Sequence, residues 1–533
     1  MIRLRSVAFA VLPILAIACA PSQGDAEESE DFEGDEANFS SNQAELLDFK
    51  FEGEISTSDQ VWDAKQIIND QMLYTIGHLN GDRSVGRLDR LQLTDVQTSN
   101  ADGKTTIKYK AVLPVAWGSK TNRPSTYTFQ LPKDASYNGQ SAFTEKYKHN
   151  CVDWGAHDVD SGSMWYYYRP ARCQIDGADV IKVTASVTVS PENSTGKYPE
   201  YDKVWEDGQL NMVAIFGKYE DGKTSGDAGI DAYNRFLSRM RDDLRAFNVV
   251  SEPANVAANP GVSVPDVTFT ATLPDGKKVS VTALLVDNVR TSDARFNQRY
   301  TALSTNADII AYNGHAGLGQ NVRALAQKGS WKAGKYVIMF MNGCDTFAYV
   351  DGSLAQTRAR VNPDDPSGTK YMEFVTNALP SFFHSMANAS STLFKGLMRY
   401  DAPMTYDQIF DGIDDSQVVL VTGEQDNVFR PGVAPQPTWS GIQAEFPLAR
   451  YADRRFDTGM LQPGKYQFDL SGTGSANLYV KVGRTATSRT FDCKSTRAGA
   501  AETCTVTLNQ AANVNVLVRG TGESNLKFVA KKL

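Results

Sequence analysis

Two short segments of this chain carry residues able to do covalent chemistry. The first, ADIIAYNGHAGLG at residues 307–319, runs from an apolar stretch into Gly314, His315, Ala316 and Gly317. The second, KYVIMFMNGCDTF at residues 335–347, runs from another apolar stretch into Asn342, Gly343 and Cys344. A cysteine is already a few per cent thiolate at neutral pH, and a nearby imidazole takes its proton and returns it to a leaving amine. Glycines beside such a pair let the backbone approach a substrate, and backbone N–H groups near Gly317 and Cys344 are candidates for binding an oxyanion. Taken singly, His315 is as simply a turn residue and Cys344 a core thiol.

Cysteine usage sharpens the second point. The six cysteines are Cys19, Cys151, Cys173, Cys344, Cys493 and Cys504. Cys151 and Cys173 flank one aromatic run, Trp165 to Tyr168, and Cys493 and Cys504 flank one short polar loop. In an exported chain each pair forms a bridge, which leaves Cys344 alone and in need of a role.

The elements that must position the two residues are apolar strands separated by amphipathic helices. Met212–Phe216, residues 266–272 and 279–286, Asp308–Tyr312, Tyr336–Met341 and Val418–Thr422 read as strands. Ile230 to Phe247 repeats apolar residues every three or four positions, as a helix does, and Phe296 to Leu303 fits another. Met372 to Met386 is also expected to be helical. This alternation predicts a mostly parallel sheet covered on both faces over residues 205–440. His315 and Cys344 then sit at the carboxyl ends of two strands, over the crevice where such sheets bind ligands. The about 30 residues between them suffice for a helical crossover.

The pattern strand-Gly-His-x-Gly followed by strand-x-x-Cys resembles the caspase-like superfamily of cysteine peptidases, which includes caspases, legumains and gingipains. The resemblance implies a three-layer α/β fold, His315 as acid/base group, Cys344 as nucleophile, and peptide substrates cut after a preferred side chain. It also implies an oxyanion site at the backbone following the histidine, here Ala316 and Gly317. The family usually has glycine where Ala316 stands. Asn342 is weighed as an orienting residue or a turn cap, Asp345 as a partner for a basic side chain or a solvated acid, and Asp293 and Glu424 as pocket-lining charges.

Residues 45–200 read as an α+β domain with helix 60–75 and strands at 105–114, 126–131 and 181–189. His149 and His157 lie near Asp153 and Asp158 there, more simply as surface polar residues than as metal ligands. Residues 450–533 alternate in short strands with glycine-rich turns, an all-β sandwich. Phe468 to Gly474, Ala476 to Val480, Phe491 to Cys493, Glu502 to Cys504 and Val516 to Gly520 resemble the bacterial pre-peptidase C-terminal domain, which commonly trails secreted peptidases.

The N-terminus has Arg3 and Arg5, then an apolar run from Val7 to Ala18, the length of a signal peptide rather than of a membrane span. Ala18-Cys19 resembles a bacterial lipoprotein signal at residues 1–19 with Cys19 as the lipidated residue; an ordinary signal with a chance cysteine is the alternative. Eight carboxylates between Asp25 and Glu36, with no basic residue, predict a disordered acidic linker over residues 20–44. The net charge of −8 gives no reason to expect nucleic acid, and no zinc ladder, Walker loop or dinucleotide fingerprint is present. No cofactor or metal is expected. The reading is an exported cysteine endopeptidase of the bacterial cell envelope, an outer-membrane lipoprotein facing periplasm or exterior, or a secreted protein. Its expected partners are protein or peptide substrates and the membrane holding its lipid. The alternative is a non-catalytic surface binding or adhesion lipoprotein on a degenerate caspase-like fold.

Overall fold

A computed structural model describes residues 39–156, 158–349, 351–424, 427–433, 439–462, 464–508 and 512–533. The chain is built of several sheets with mixed α/β composition and divides near residue 433 into two compact units. Cys19 and the acidic run lie outside the described residues.

The central sheet of the first unit has eight strands. In order they are Val419–Gly423, Met372–Asn377, Val337–Asn342, Ile309–Asn313, Gln209–Gly217, Lys278–Val286, Asp266–Thr272 and Val250–Glu252. The five inner strands are parallel, and the outer pairings are antiparallel. Side chains alternate between its faces, as a pleated strand requires. Ile309 and Ala311 join Phe236, Leu237 and Leu393 on one face; Ile310 and Tyr312 join Tyr300, Val322 and Leu325 on the other. Helices Ala228–Leu244 and Phe383–Leu397 cover the first face, and Ala294–Ser304 and Gln320–Lys328 the second. Burial on both faces is why these strands read as nearly continuous apolar runs.

Residues 372–386, expected as one helix, are instead the strand Met372–Asn377, a turn, and the start of helix Phe383–Leu397. Every residue of that strand is buried. A short apolar run buried on all sides has the same appearance in a strand as in a helix, and here pairing with both neighbours decides it.

A second sheet in this unit is antiparallel: Val85–Gly86, Lys104–Trp117, Glu45–Thr57, Val180–Val189 and Thr126–Pro132, with Gln92–Ala101 on Lys104–Trp117. Helix Ala64–Asn80 contributes Ile68, Met72, Ile76 and Leu79 to its core. The same core takes in Phe347, Ala348, Leu379 and Leu420 from the central-sheet region, so the two sheets share buried contacts just behind Cys344. Residues 39–44, placed in the spacer by sequence, include the buried Phe39, whose N–H bonds to Glu192 O at 2.9 Å, and Ser40, bridged to Val421.

The second unit holds two four-stranded antiparallel sheets around one core that includes Phe468, Leu478, Val516 and Phe528. Disulfides Cys151–Cys173 and Cys493–Cys504 are formed, and Cys344 is free. Among the described residues no helix is long and apolar enough to cross a membrane.

Candidate active site

The carboxyl ends of three adjacent parallel strands carry asparagines in one row: Asn313, Asn342 and Asn377, all fully buried. Asn342 Nδ2 donates to Asn313 Oδ1 at 2.8 Å, and Asn377 Nδ2 donates to Asn342 Oδ1 at 3.0 Å. Asn342 Oδ1 also accepts from Ser381 Oγ and Gln417 Nε2, each at 2.9 Å. Buried amides are tolerated only when partnered, so this ladder fixes the two loops that follow it. Those loops touch: a Cβ on Gly343 would fall 2.8 Å from Gly314 O and 3.3 Å from the Ala316 nitrogen.

His315 projects from the end of Ile309–Asn313 and is exposed. Its Nε2 lies 3.0 Å from Tyr219 O. A carbonyl oxygen only accepts, so Nε2 carries the hydrogen, and in the neutral ring Nδ1 is the basic nitrogen. The ring packs against Tyr219 and Phe383, both at 5.3 Å between centroids. Its own carbonyl accepts from Tyr312 Oη at 2.9 Å and from Asn321 Nδ2 at 2.5 Å. The Tyr219 turn is in turn held by Asp227, which caps helix Ala228–Leu244. That carboxylate accepts from the N–H groups of Gly229, Ile230, Tyr219 and Glu220 at 2.8 to 3.1 Å. Burial pushes its pKa up, but the four N–H bonds outweigh this and leave it below the usual carboxylate range.

Cys344 follows Val337–Asn342 on the neighbouring strand. It is partly exposed, and Sγ faces Ser381 O at 3.6 Å. The thiol is pushed up to about 11, chiefly by burial and secondarily by the Asp345 carboxylate. Tyr166, from the short helix Met164–Tyr167 between Cys151 and Cys173, brings its hydroxyl to both Cys344 and Asp345. Asp345 is buried and pushed up to about 7, chiefly by burial; a hydrogen bond from Asn80 and the charge of Arg169 act against that rise. No hydrogen bond joins Cys344 to His315 in this conformation.

The structure thus brings His315, Ala316, Gly317 and Cys344 to one end of the central sheet. Ala316 has φ −66°, which any residue adopts, so alanine in place of glycine imposes no strain. Gly317 has φ +59°, where glycine is favoured. Asn342 belongs to the buried ladder, and Asp345 faces the second sheet rather than a pocket. Asp293 caps helix Ala294–Ser304 through Phe296 N at 2.8 Å, and Glu424 is buried, its N–H bonded to Thr369 O. His149 is exposed and His157 lies outside the described residues. Among the described residues no group of three or more His, Cys, Asp or Glu is placed to hold a metal ion.

Four contributors escaped the sequence reading: Tyr219, Asp227, Ser381 and Tyr166. Asp227 had a findable signal, an aspartate just before an amphipathic helix. Ser381 was hidden because its segment was read as mid-helix.

No family model and no curated protein matches the chain. Among solved structures, a match is the propeptide form of lipase BlEst2 from Bacillus licheniformis. It is 10% identical over 61% of this chain and 75% of that one, with a TM-score of 0.15, a likeness that carries no argument about fold or function.

Proposed function

We propose that this protein is an exported cysteine endopeptidase in which His315 and Cys344 act as base and nucleophile. The observation that carries the reading is the Nε2–H···O bond from His315 to Tyr219, which leaves Nδ1 as the base, next to the strand that Cys344 follows. The five parallel strands, with helices on both faces and both residues at their carboxyl ends, support a caspase-like architecture for residues 205–440. The C-terminal sheets support a pre-peptidase C-terminal-like sandwich over residues 450–533.

In this mechanism Cys344 Sγ exchanges Ser381 O for His315 Nδ1, which takes the thiol proton as sulfur attacks the peptide carbonyl carbon. The N–H groups of Ala316, Gly317 and Cys344 receive the resulting oxyanion. His315 then gives its proton to the amine, the C–N bond breaks, and a thioester remains. Water, deprotonated by His315, attacks the thioester, the C–S bond breaks, and the proton returns to sulfur. Lipidation at Cys19, behind the acidic linker, holds this enzyme at the bacterial envelope.

One observation favours a second reading, a binding lipoprotein with an inactive fold: the thiol is raised to about 11 and sits under Tyr166. Hydrolysis of a quenched fluorescent peptide mixture by the purified full chain tests between them. The peptidase reading expects turnover that Cys344→Ala abolishes; turnover unchanged by that substitution contradicts it.

A further inference from the structure

The turn after Met372–Asn377 spans the space between the two candidate reacting residues. Ser381 O faces Cys344 Sγ at 3.6 Å, and two residues on, the Phe383 ring meets the His315 ring edge-on at 5.3 Å. Between them Phe382 is 51% exposed and stacks on His384. Tyr219, 44% exposed, also packs on the His315 ring and lies 5.6 Å from Phe383, so the three rings form one cluster. Large aromatics left in water are informative when they cluster around a reacting group. Here Tyr219 and Phe383 pack on the base, and the exposed Phe382 sits in the chain between Phe383 and Ser381, whose carbonyl faces the nucleophile.

Charges that would favour a different substrate are poorly placed. Asp345, adjacent to Cys344, is sealed behind it by Asn80. Asp414 near His384, and Asp221 and Arg290 near Tyr312, are exposed, where an ion pair contributes little. Arg290 is moreover bonded to Gln320.

We propose that the site takes peptides bearing a large apolar or aromatic side chain beside the scissile bond, packed against Phe382, Phe383 and Tyr219. This inference rests on the peptidase reading. Sequestering such a side chain from water favours it about tenfold or more over glycine or a charged residue.

The test uses the purified full chain and a set of peptidyl acyloxymethyl ketones that differ only in the residue next to the ketone: Phe, Leu, Gly, Asp or Arg. The thiolate displaces the carboxylate from the methylene carbon, and intact mass reports the rate of modification at Cys344. The expected order is Phe and Leu ahead of Gly, Asp and Arg by about tenfold. Phe382→Ala is expected to slow the Phe probe by a similar factor and to slow it more than the Gly probe; equal slowing of both overturns the inference. Fastest modification by the Asp or Arg probe overturns the inference and leaves the peptidase reading standing. Absence of any Cys344 adduct across the set overturns that reading, and the inference with it.

Discussion

Asn80 and Asp345, 265 residues apart in sequence, are joined by a 2.9 Å hydrogen bond from Nδ2 to Oδ1. One closes the helix of the antiparallel sheet, and the other directly follows Cys344. Asp345 sits at φ +51°, a left-handed conformation that aspartate and asparagine tolerate better than other side chains. The bond therefore ties the first sheet to the backbone of the candidate nucleophile, and it does so with a group that titrates.

Asp345→Asn keeps the backbone conformation and an acceptor for Asn80 while removing the charge. The Cys344 thiol is held up partly by that charge, so the midpoint of its alkylation rate against pH is expected to fall. Stability follows too. A carboxyl at about 7 when folded and 3.8 when free binds more protons folded, so its contribution declines as pH rises from about 4 to 7. Melting temperatures of the variant relative to wild type are expected to climb across that window. A pH-independent difference would contradict the assignment.

Asp227 holds the turn whose carbonyl orients His315. Asp227→Ala strands N–H groups of Tyr219, Glu220, Gly229 and Ile230, a loss of about 1–3 kcal/mol in urea unfolding. At temperatures where the variant remains folded, kcat is expected to fall more than KM rises, since the lost function is orientation of the base. Activity that merely follows the folded fraction would show Asp227 to be a helix cap alone.

His78 is a half-buried imidazole, held neutral by its surroundings. Its Nε2 accepts from Gln130 N at 3.2 Å, and its Nδ1 pairs with the Tyr127 hydroxyl at 2.9 Å. Burial lowers its pKa to about 4 from 6.5. The folded state binds fewer protons, so stability is lost as pH falls from about 6.5 toward 4. His78→Phe, among the rings of Tyr127, Phe129 and Tyr168, is expected to be less stable at pH 7. Its deficit should narrow on acidification; a deficit constant from pH 7 to 4 would refute the neutral assignment.

Phe347 is fully buried between the two sheets of the first unit, edge-on to Phe39 at 6.0 Å and beneath Arg87. Phe347→Ala is expected to cost about 3–5 kcal/mol. Because the core is shared, hydrogen exchange should show both sheets of the first unit losing protection together, whereas independent loss in the two sheets would mean separate cores.

The strand–helix alternation around His315 and Cys344 was legible because doubly buried parallel strands leave long apolar runs that end sharply at polar residues. Asn313 and Asn342 mark those ends. The same property misled at Met372–Asn377, where the apolar run continued across a turn into helix Phe383–Leu397 and read as one helix. That misreading concealed Ser381 and Phe383. Tyr166 was out of reach for another reason: its place beside Cys344 depends on how two sheets pack, and no local pattern encodes a contact across so many residues. Ala316 looked like a departure by composition alone, yet at φ −66° it costs nothing.

The most direct measurement of the peptidase assignment is intact-mass analysis of the full chain after a broad mixture of peptidyl chloromethyl ketones, with wild type beside Cys344→Ala and His315→Ala. A working pair predicts one adduct on wild type and none on either variant. No adduct on wild type, or an adduct on wild type and His315→Ala at equal rates, would contradict it.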